Sequence, residues 1–299
     1  MNMLKPATLA LSLVLALTAC DKPAQNADKA NENPQANTTA QTKTDNQANS
    51  SAADNADFTT QINAYKAWAG SEVDNLLTKS ETLVQHLKAG DFENAKTAYL
   101  TARVHFERIE PIAEQIGELD GFIDRREADL ENGETWRGFH AIEKQLWTGK
   151  PNADELSKLG DQLLTDIKSL KEVVGQVSLT ADNLTEGAVD LLNEVATSKI
   201  TGEEEIFSKS DLNVFVANVD GAKQIFELFK DKLDKATQDE IQAQFDAVYT
   251  ELNKYKTEQG YKTYDQLSQD EIRTLAESIS KLGEPLAKLG QIVEKSDAK

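Results

Sequence analysis

FTTQINAYKAWAGSEVDNLLTKSETLVQHLKAG, residues 58 to 90, decides the fold. Ile62, Tyr65, Ala69, Leu76, Leu83 and Leu87 recur at spacings of three, four and seven, which is the repeat of one helix face and not the alternation of a strand. Gly90 ends the pattern, because glycine takes the left-handed turn after a helix without steric cost, and Asp91 is a good N-cap for the next helix. The same period continues to the C-terminus. Its stripes are Ala95, Ala102, Phe106, Ile109 and Ala113, then Phe139, Ile142 and Leu146, then Leu156, Leu159, Leu163, Ile167 and Leu170. Leu184, Ala188, Leu191 and Val195 follow, then Leu212, Phe215, Val219, Ala222, Phe226 and Phe229, then Ile241, Phe245, Val248 and Leu252. Ser268 with Glu271 three residues later is a capping box opening a last helix through Leu275, Ile279 and Leu286. No segment shows a convincing period of two. The expectation is an all-α bundle of about eight helices in one domain over residues 58–299, arranged as two four-helix layers.

Upstream of Phe58 the chemistry changes. Residues 21–57 contain no Val, Ile, Leu, Phe, Tyr or Trp. Such a stretch cannot bury enough apolar surface to offset the entropy of ordering, so residues 20–57 read as a disordered tether with an r.m.s. reach of roughly 35 Å. Before it, Lys5 and the apolar run from Ala7 to Leu17 form a signal segment over residues 1–19, too short to span a bilayer. Leu17-Thr18-Ala19-Cys20 looks like a bacterial lipobox, in which cleavage precedes the cysteine and the sulfur carries lipid. Cys20 is the only cysteine, so no intrachain disulfide can form. The expected location is the periplasm or cell envelope, anchored to a membrane through Cys20.

The chain carries 32 basic and 51 acidic side chains, a net charge of −19. That balance excludes nucleic acid as a partner, since phosphate binding needs clustered Lys and Arg. It enriches cations near the surface and favours a monomer. Both methionines lie in the signal and the lone cysteine is the lipidation site. Thiolate zinc sites, iron–sulfur clusters and thioether-bound Cu(I) are therefore excluded, and a metal would have to use carboxylates, imidazole, carbonyls, Tyr or water.

GFHAIEKQLW, residues 138 to 147, places His140 and Glu143 three apart on one helix face, beside the stripe of Phe139, Ile142 and Leu146 and flanked by Trp136 and Trp147. The pair is expected at the margin of the core. Alone, HxxE is a weak signal that also fits an ordinary helix face. Other segments add weight. RVHFERIEPIAE aligns Arg103, Glu107, Glu110 and Glu114 on one face, and Pro111 cannot donate to the Glu107 carbonyl, so that turn is distorted and an acceptor is freed beside the carboxylates. LDGFIDRREAD offers Asp120 and Asp124, and ITGEEEIF offers three adjacent acids, Glu203 to Glu205, which fan around a helix end so that at most two face inward. Acidic clusters from several helices around one histidine outline a bundle-core metal site.

Three stretches carry a resemblance to a known family: YLTARVHFERIEPIAEQIGELDGFIDRR, GFHAIEKQLW and LLNEVATSKITGEEEIFSKSDLNVFVANVDGA. Together they resemble, in order and spacing, the imelysin-type helical domain of the EfeO/EfeM iron-uptake lipoproteins, a group classed with metallopeptidases. The similarity extends over residues 58–299. It implies an all-α fold with a divalent or ferric ion in a cleft between helices, held by His140 and Glu143 of the HxxE signature, by Glu107, Glu110 and Asp124, and by Glu203 in preference to Glu204. Residues 21–57 have neither strands nor copper ligands, so the chain resembles the shorter EfeM form without a cupredoxin domain.

The resemblance implies a lipoprotein that captures iron, Fe²⁺ or Fe³⁺, and delivers it to a membrane permease, with a periplasmic peroxidase as a further partner of the same system. Zn²⁺ and Mn²⁺ suit the same donors. Two other readings stand beside it. One is a metal-bridged binder of an anionic polysaccharide or a protein. The other is a metallopeptidase, against which stands the lack of an HExxH motif.

Overall fold

Gly90, at φ +68°, turns the chain between the first two helices. In the computed structural model, which describes residues 42–131, 133–258 and 260–297, these are α1 (Thr42–Ala89) and α2 (Phe92–Ile109). The signal segment, Cys20 and the tether up to residue 41 lie outside the described residues. Asp91 occupies the N-cap of α2 but makes no capping bond. Its carboxylate instead accepts from Asn94 Nδ2 at 2.7 Å and meets His86 Nδ1 at 3.2 Å.

A 3₁₀ turn at Glu110–Ile112 follows, then α3 (Ala113–Ile116), α4 (Glu118–Asp124), α5 (Phe139–Trp147), α6 (Ala153–Gln176) and α7 (Ala181–Thr197). The rest comprises α8 (Asp211–Phe229), α9 (Lys235–Asn253), α10 (Gln269–Leu286) and α11 (Gly290–Asp297). The fold is all-α, and among the described residues eight helices run nine residues or longer. Ser268 and Glu271 form the capping box, with the Glu271 amide on Ser268 Oγ and the Ser268 amide on Glu271 Oε2.

Two features depart from the sequence expectation. α1 starts at Thr42, so residues 42–57 are helix, not tether. The packed segment from Phe58 supplies the nucleus, and extending a helix costs far less than starting one. A hairpin of two-residue strands, Lys256–Thr257 with Gly260–Tyr261, is too short to leave a period-two signature.

The long helices fall into two sets of four. α7, α8, α9 and α10 close a ring in which each packs on the next. In the other set α2 packs on α5 and α5 on α6. α1 joins through Val84, which lies so near Gly160 of α6 that a Cβ there would come within 2.8 Å of it. α2 against α8 unites the sets. One core cluster runs through both, from Tyr65, Leu76 and Leu83 through Phe106 and Ile167 to Phe215, Phe245 and Ile279. Each such side chain contributes about 1.5–3 kcal/mol of burial energy.

Candidate metal centre

The distorted turn at Pro111 is where the site is built. The Glu107 carbonyl, which Pro111 cannot serve, accepts from the Glu110 amide and from Asn218 Nδ2 of α8 at 3.1 Å. α7 lies directly on this turn, since a Cβ at Gly187 would stand 2.0 Å from the Pro111 carbonyl oxygen. A second close approach sets α5. Gly138, its N-cap at φ +89°, leaves no room for a Cβ, which would meet the Ile123 carbonyl oxygen at 2.3 Å. The start of α5 therefore rests on the end of α4, which puts His140 beside Asp124.

The segment between α7 and α8 closes over the pair. Left-handed Gly202 turns it inward. Glu143 anchors it, with Oε1 accepting the amides of Phe207 at 3.0 Å and Ser208 at 2.7 Å while Oε2 meets His140 Nδ1 at 3.2 Å. His140 and Glu143 are consequently 2 % and 0 % exposed. They are interior residues and not, as their helix stripe suggested, at the core margin, because a segment sixty residues away covers them.

Two buried cations organise the carboxylates. Arg103 is 2 % exposed. It pairs with Glu107 at 2.5 Å, with Glu205 at 2.7 Å, with Glu204 at 2.9 Å and with Asp124, and its Nη2 stands 3.2 Å from His140 Nε2. Lys199 is held by Glu110 at 2.7 Å, Glu107 at 3.2 Å and Glu204 at 3.4 Å. Asn218 donates to both Glu107 and Glu110, and Glu205 also accepts from Tyr99, Ser208 and Ser210.

Burial and crowding move the titrations apart. Burial and Arg103 push the His140 pKa down, but hydrogen bonds to Asp124 and Glu143 outweigh them and carry it up to about 10. Burial alone would raise Glu107, yet Arg103 and Lys199 bring it down to about 2. Its neighbour Glu110 is driven well up by burial and by the Glu107 charge. Asp120 rises to about 7 through burial and Asp124, and Glu205 to about 8 through burial and Glu143.

Asp124, His140 and Glu204 bring one donor atom each to within 4.8 Å of one another, and so do His140, Glu143 and Glu205. Of the first group, Asp124 and Glu204 border solvent while His140 is buried. Asp124, Glu204, Glu110 and Lys199 line a cleft of about 510 Å³, together with Asp120, Glu186, Asp190 and Glu194. An oxygen-rich set with one imidazole fits a hard or borderline ion. The second group is wholly buried, with Glu143 committed to His140 and the covering segment and Glu205 to Arg103, Tyr99, Ser208 and Ser210.

Of the residues singled out in sequence, His140, Glu143, Glu107 and Asp124 meet in one network. Glu110 joins through Lys199 and Asn218. Glu203 does not join. It is 46 % exposed and pairs with Arg126 at 2.9 Å, while Glu204, 4 % exposed, points into the site. The turn after Gly202 fans the three acids, and the inward positions go to Glu204 and Glu205. Trp136 precedes α5 and donates to the Arg125 carbonyl, and Trp147 packs edge-on against Tyr99. Nothing in the sequence marks Lys199 or Asn218 as members of the network; it offers Glu205 only as one of three adjacent acids and shows Arg103 only as sharing a face with Glu107, Glu110 and Glu114. The alignment of Arg103 with two acids along α2 was the one available signal.

The model of the Imelysin family, Peptidase_M75, matches residues 61–289. The chain belongs to the imelysin family. An "Efem/EfeO family lipoprotein" of Staphylococcus haemolyticus is 38 % identical over 299 residues, covering 98 % of this chain and all of the relative. One of Staphylococcus aureus (strain NCTC 8325 / PS 47) bears the same name and is 41 % identical over 238 residues, 77 % of this chain and 84 % of its own length. This imelysin thus stands with the EfeM/EfeO family lipoproteins. Among its described residues no helix is long and apolar enough to cross a membrane.

Proposed function

We propose that this imelysin-family protein is the ion-capturing lipoprotein of an iron uptake system, binding Fe²⁺ or Fe³⁺ as cargo and passing it to a membrane permease. The observation that carries the reading is the convergence of Asp124, His140 and Glu204, whose donor atoms lie within 4.8 Å of one another, with Asp124 and Glu204 in the wall of an acidic cleft. The cleft draws cations in, because carboxylates of one sign with low-dielectric walls concentrate counter-ions. Carboxylate oxygens with one imidazole suit iron in either state, and Mn²⁺ or Zn²⁺ as well. The names of the relatives supply the lipoprotein context, and a lipid on Cys20 would keep the carrier at the membrane. A peroxidase acting on the same iron belongs to the same proposal.

A peptidase is the weaker reading. The sequence holds no HExxH, and Glu143 is engaged by His140 and two backbone amides instead of standing free as a base. The test is calorimetric titration of chelator-stripped protein with Fe²⁺, Fe³⁺ kept soluble by a weak ligand, Mn²⁺ and Zn²⁺. One tight site preferring iron, weakened at least about 100-fold in Asp124→Asn/Glu204→Gln with helicity unchanged, is expected, equivalent to about 2.7 kcal/mol. No saturable site for any ion would refute the proposal.

A further inference from the structure

The three converging groups share one neighbour. The guanidinium of Arg103 pairs with Asp124, donates to Glu204 Oε1 at 2.9 Å and stands 3.2 Å from His140 Nε2. An ion bound to these donors would sit about 2.0–2.2 Å from each, in the space that the Nη atoms of Arg103 face. Two positive charges there, shielded from water, repel strongly. Two further acids hold the guanidinium, Glu205 on Nε and Glu107 on Nη1, the nitrogen that Asp124 shares, and neither belongs to the group of Asp124, His140 and Glu204.

We propose that Arg103 is a built-in competing cation: it neutralises the ligand group until an ion arrives, then withdraws from Asp124, His140 and Glu204 while keeping Glu107 and Glu205. The inference rests on the reading of those three residues as ion ligands. It means that the affinity of the site is the difference between two cations' interactions with the same donors. A carrier needs such a difference, since re-entry of the arginine speeds release. Lys199 is held most closely by Glu110, at 2.7 Å, reaches Glu204 only at 3.4 Å, and serves as a second counter-charge.

The experiment uses Zn²⁺, a diamagnetic probe, on the full protein. Binding and chelator-driven release are measured for the wild type, Arg103→Met and Arg103→Lys, and the arginine side-chain NMR signals of the wild type are followed through the titration. Arg103→Met is expected to bind Zn²⁺ at least about tenfold tighter and release it correspondingly more slowly, with Arg103→Lys within a few-fold of the wild type. In the wild type the Arg103 signals shift as Zn²⁺ saturates, while those of Arg108, in its own ion pairs with Glu72 and Asp220, stay in place. A folded Arg103→Met that binds more weakly, or wild-type Arg103 signals unchanged at saturation, overturns the proposal. If Arg103→Met does not fold, the wild-type spectra decide alone. Wild type that binds no Zn²⁺, Mn²⁺ or iron removes the ligand reading itself and this inference with it, whereas tight wild-type binding lost in Asp124→Asn/Glu204→Gln leaves only the competition in question.

Discussion

α2 carries two charged networks that differ in burial and in balance. At Arg103, six carboxylates (Glu107, Glu110, Asp124, Glu143, Glu204 and Glu205) surround two permanent cations and one histidine, nearly all out of water. One turn on, His105 and Arg108 meet Glu72 of α1 and Asp220 of α8, which also accepts from Tyr249 of α9. This second network is 13–30 % exposed at its ion-pairing side chains. Burial works against the Glu72 charge, yet His105 and Arg108 outweigh it and leave its pKa lowered. The balanced network ties four helices together and is complete in itself. The unbalanced one crowds six acids around three cationic groups in the interior, and burial and the shortage of positive charge drive Glu110 and Glu205 toward their protonated forms. The contrast shows that a structural clamp and an ion site can use the same residue types on one helix, and that the surplus of acids distinguishes them.

The comparison can be broken at Glu143, where the largest loss of stability is expected. Glu143→Ala leaves two amides of the covering segment and the His140 ring without their acceptor, and should cost about 3–5 kcal/mol by thermal or denaturant unfolding. A loss under about 1 kcal/mol would mean that the covering segment is held by something else.

A pH series sharpens it next. His140 titrates near 10 in the folded chain, above its ordinary value, so its stabilising effect is present below about pH 6.5 and is lost as pH rises through 10. Glu205, raised to about 8, is easier to protonate when folded, so it too favours the fold at low pH and withdraws that contribution as pH climbs through 8. Glu107, lowered to about 2, acts the other way, and its contribution fades only in strong acid. The melting temperature of chelator-treated protein should therefore fall by several degrees between about pH 5 and about pH 9. A flat or rising profile would show that the acids are not crowded as described.

The smallest effect belongs to the balanced network. Glu72→Gln removes a partly exposed pair and should cost about 1 kcal/mol or less, with ion affinity unchanged. If calorimetry instead shows that Glu72→Gln weakens ion binding as much as Asp124→Asn/Glu204→Gln does, the two networks are one and the distinction fails.

The helices were legible because each exposes one apolar stripe at its own period, and that period is local. The stripes of Leu163 and Ile167, or Phe215 and Phe226, name their buried faces without knowledge of their partners. The start of α1 was not legible, since residues 42–57 carry no apolar stripe and composition alone favoured coil. The site was half legible. The HxxE pair and the acids of α2 can be seen as spacings on single helices. Glu204 against Glu203 cannot, because three adjacent acids after Gly202 differ only in where the turn points them.

The sequence by itself determined the all-α class, the helix boundaries at Gly90 and Ser268, the distorted turn at Pro111 and the shortage of soft metal ligands, since these follow from backbone preferences and composition. Tertiary structure alone decided that Arg103 stands against His140, that Lys199 reaches Glu107 and Glu110, and that the segment after α7 buries Glu143. Those contacts join residues 37 to 92 positions apart, and they depend on how closely Gly138 and Gly187 let neighbouring backbones approach, which local periodicity does not encode.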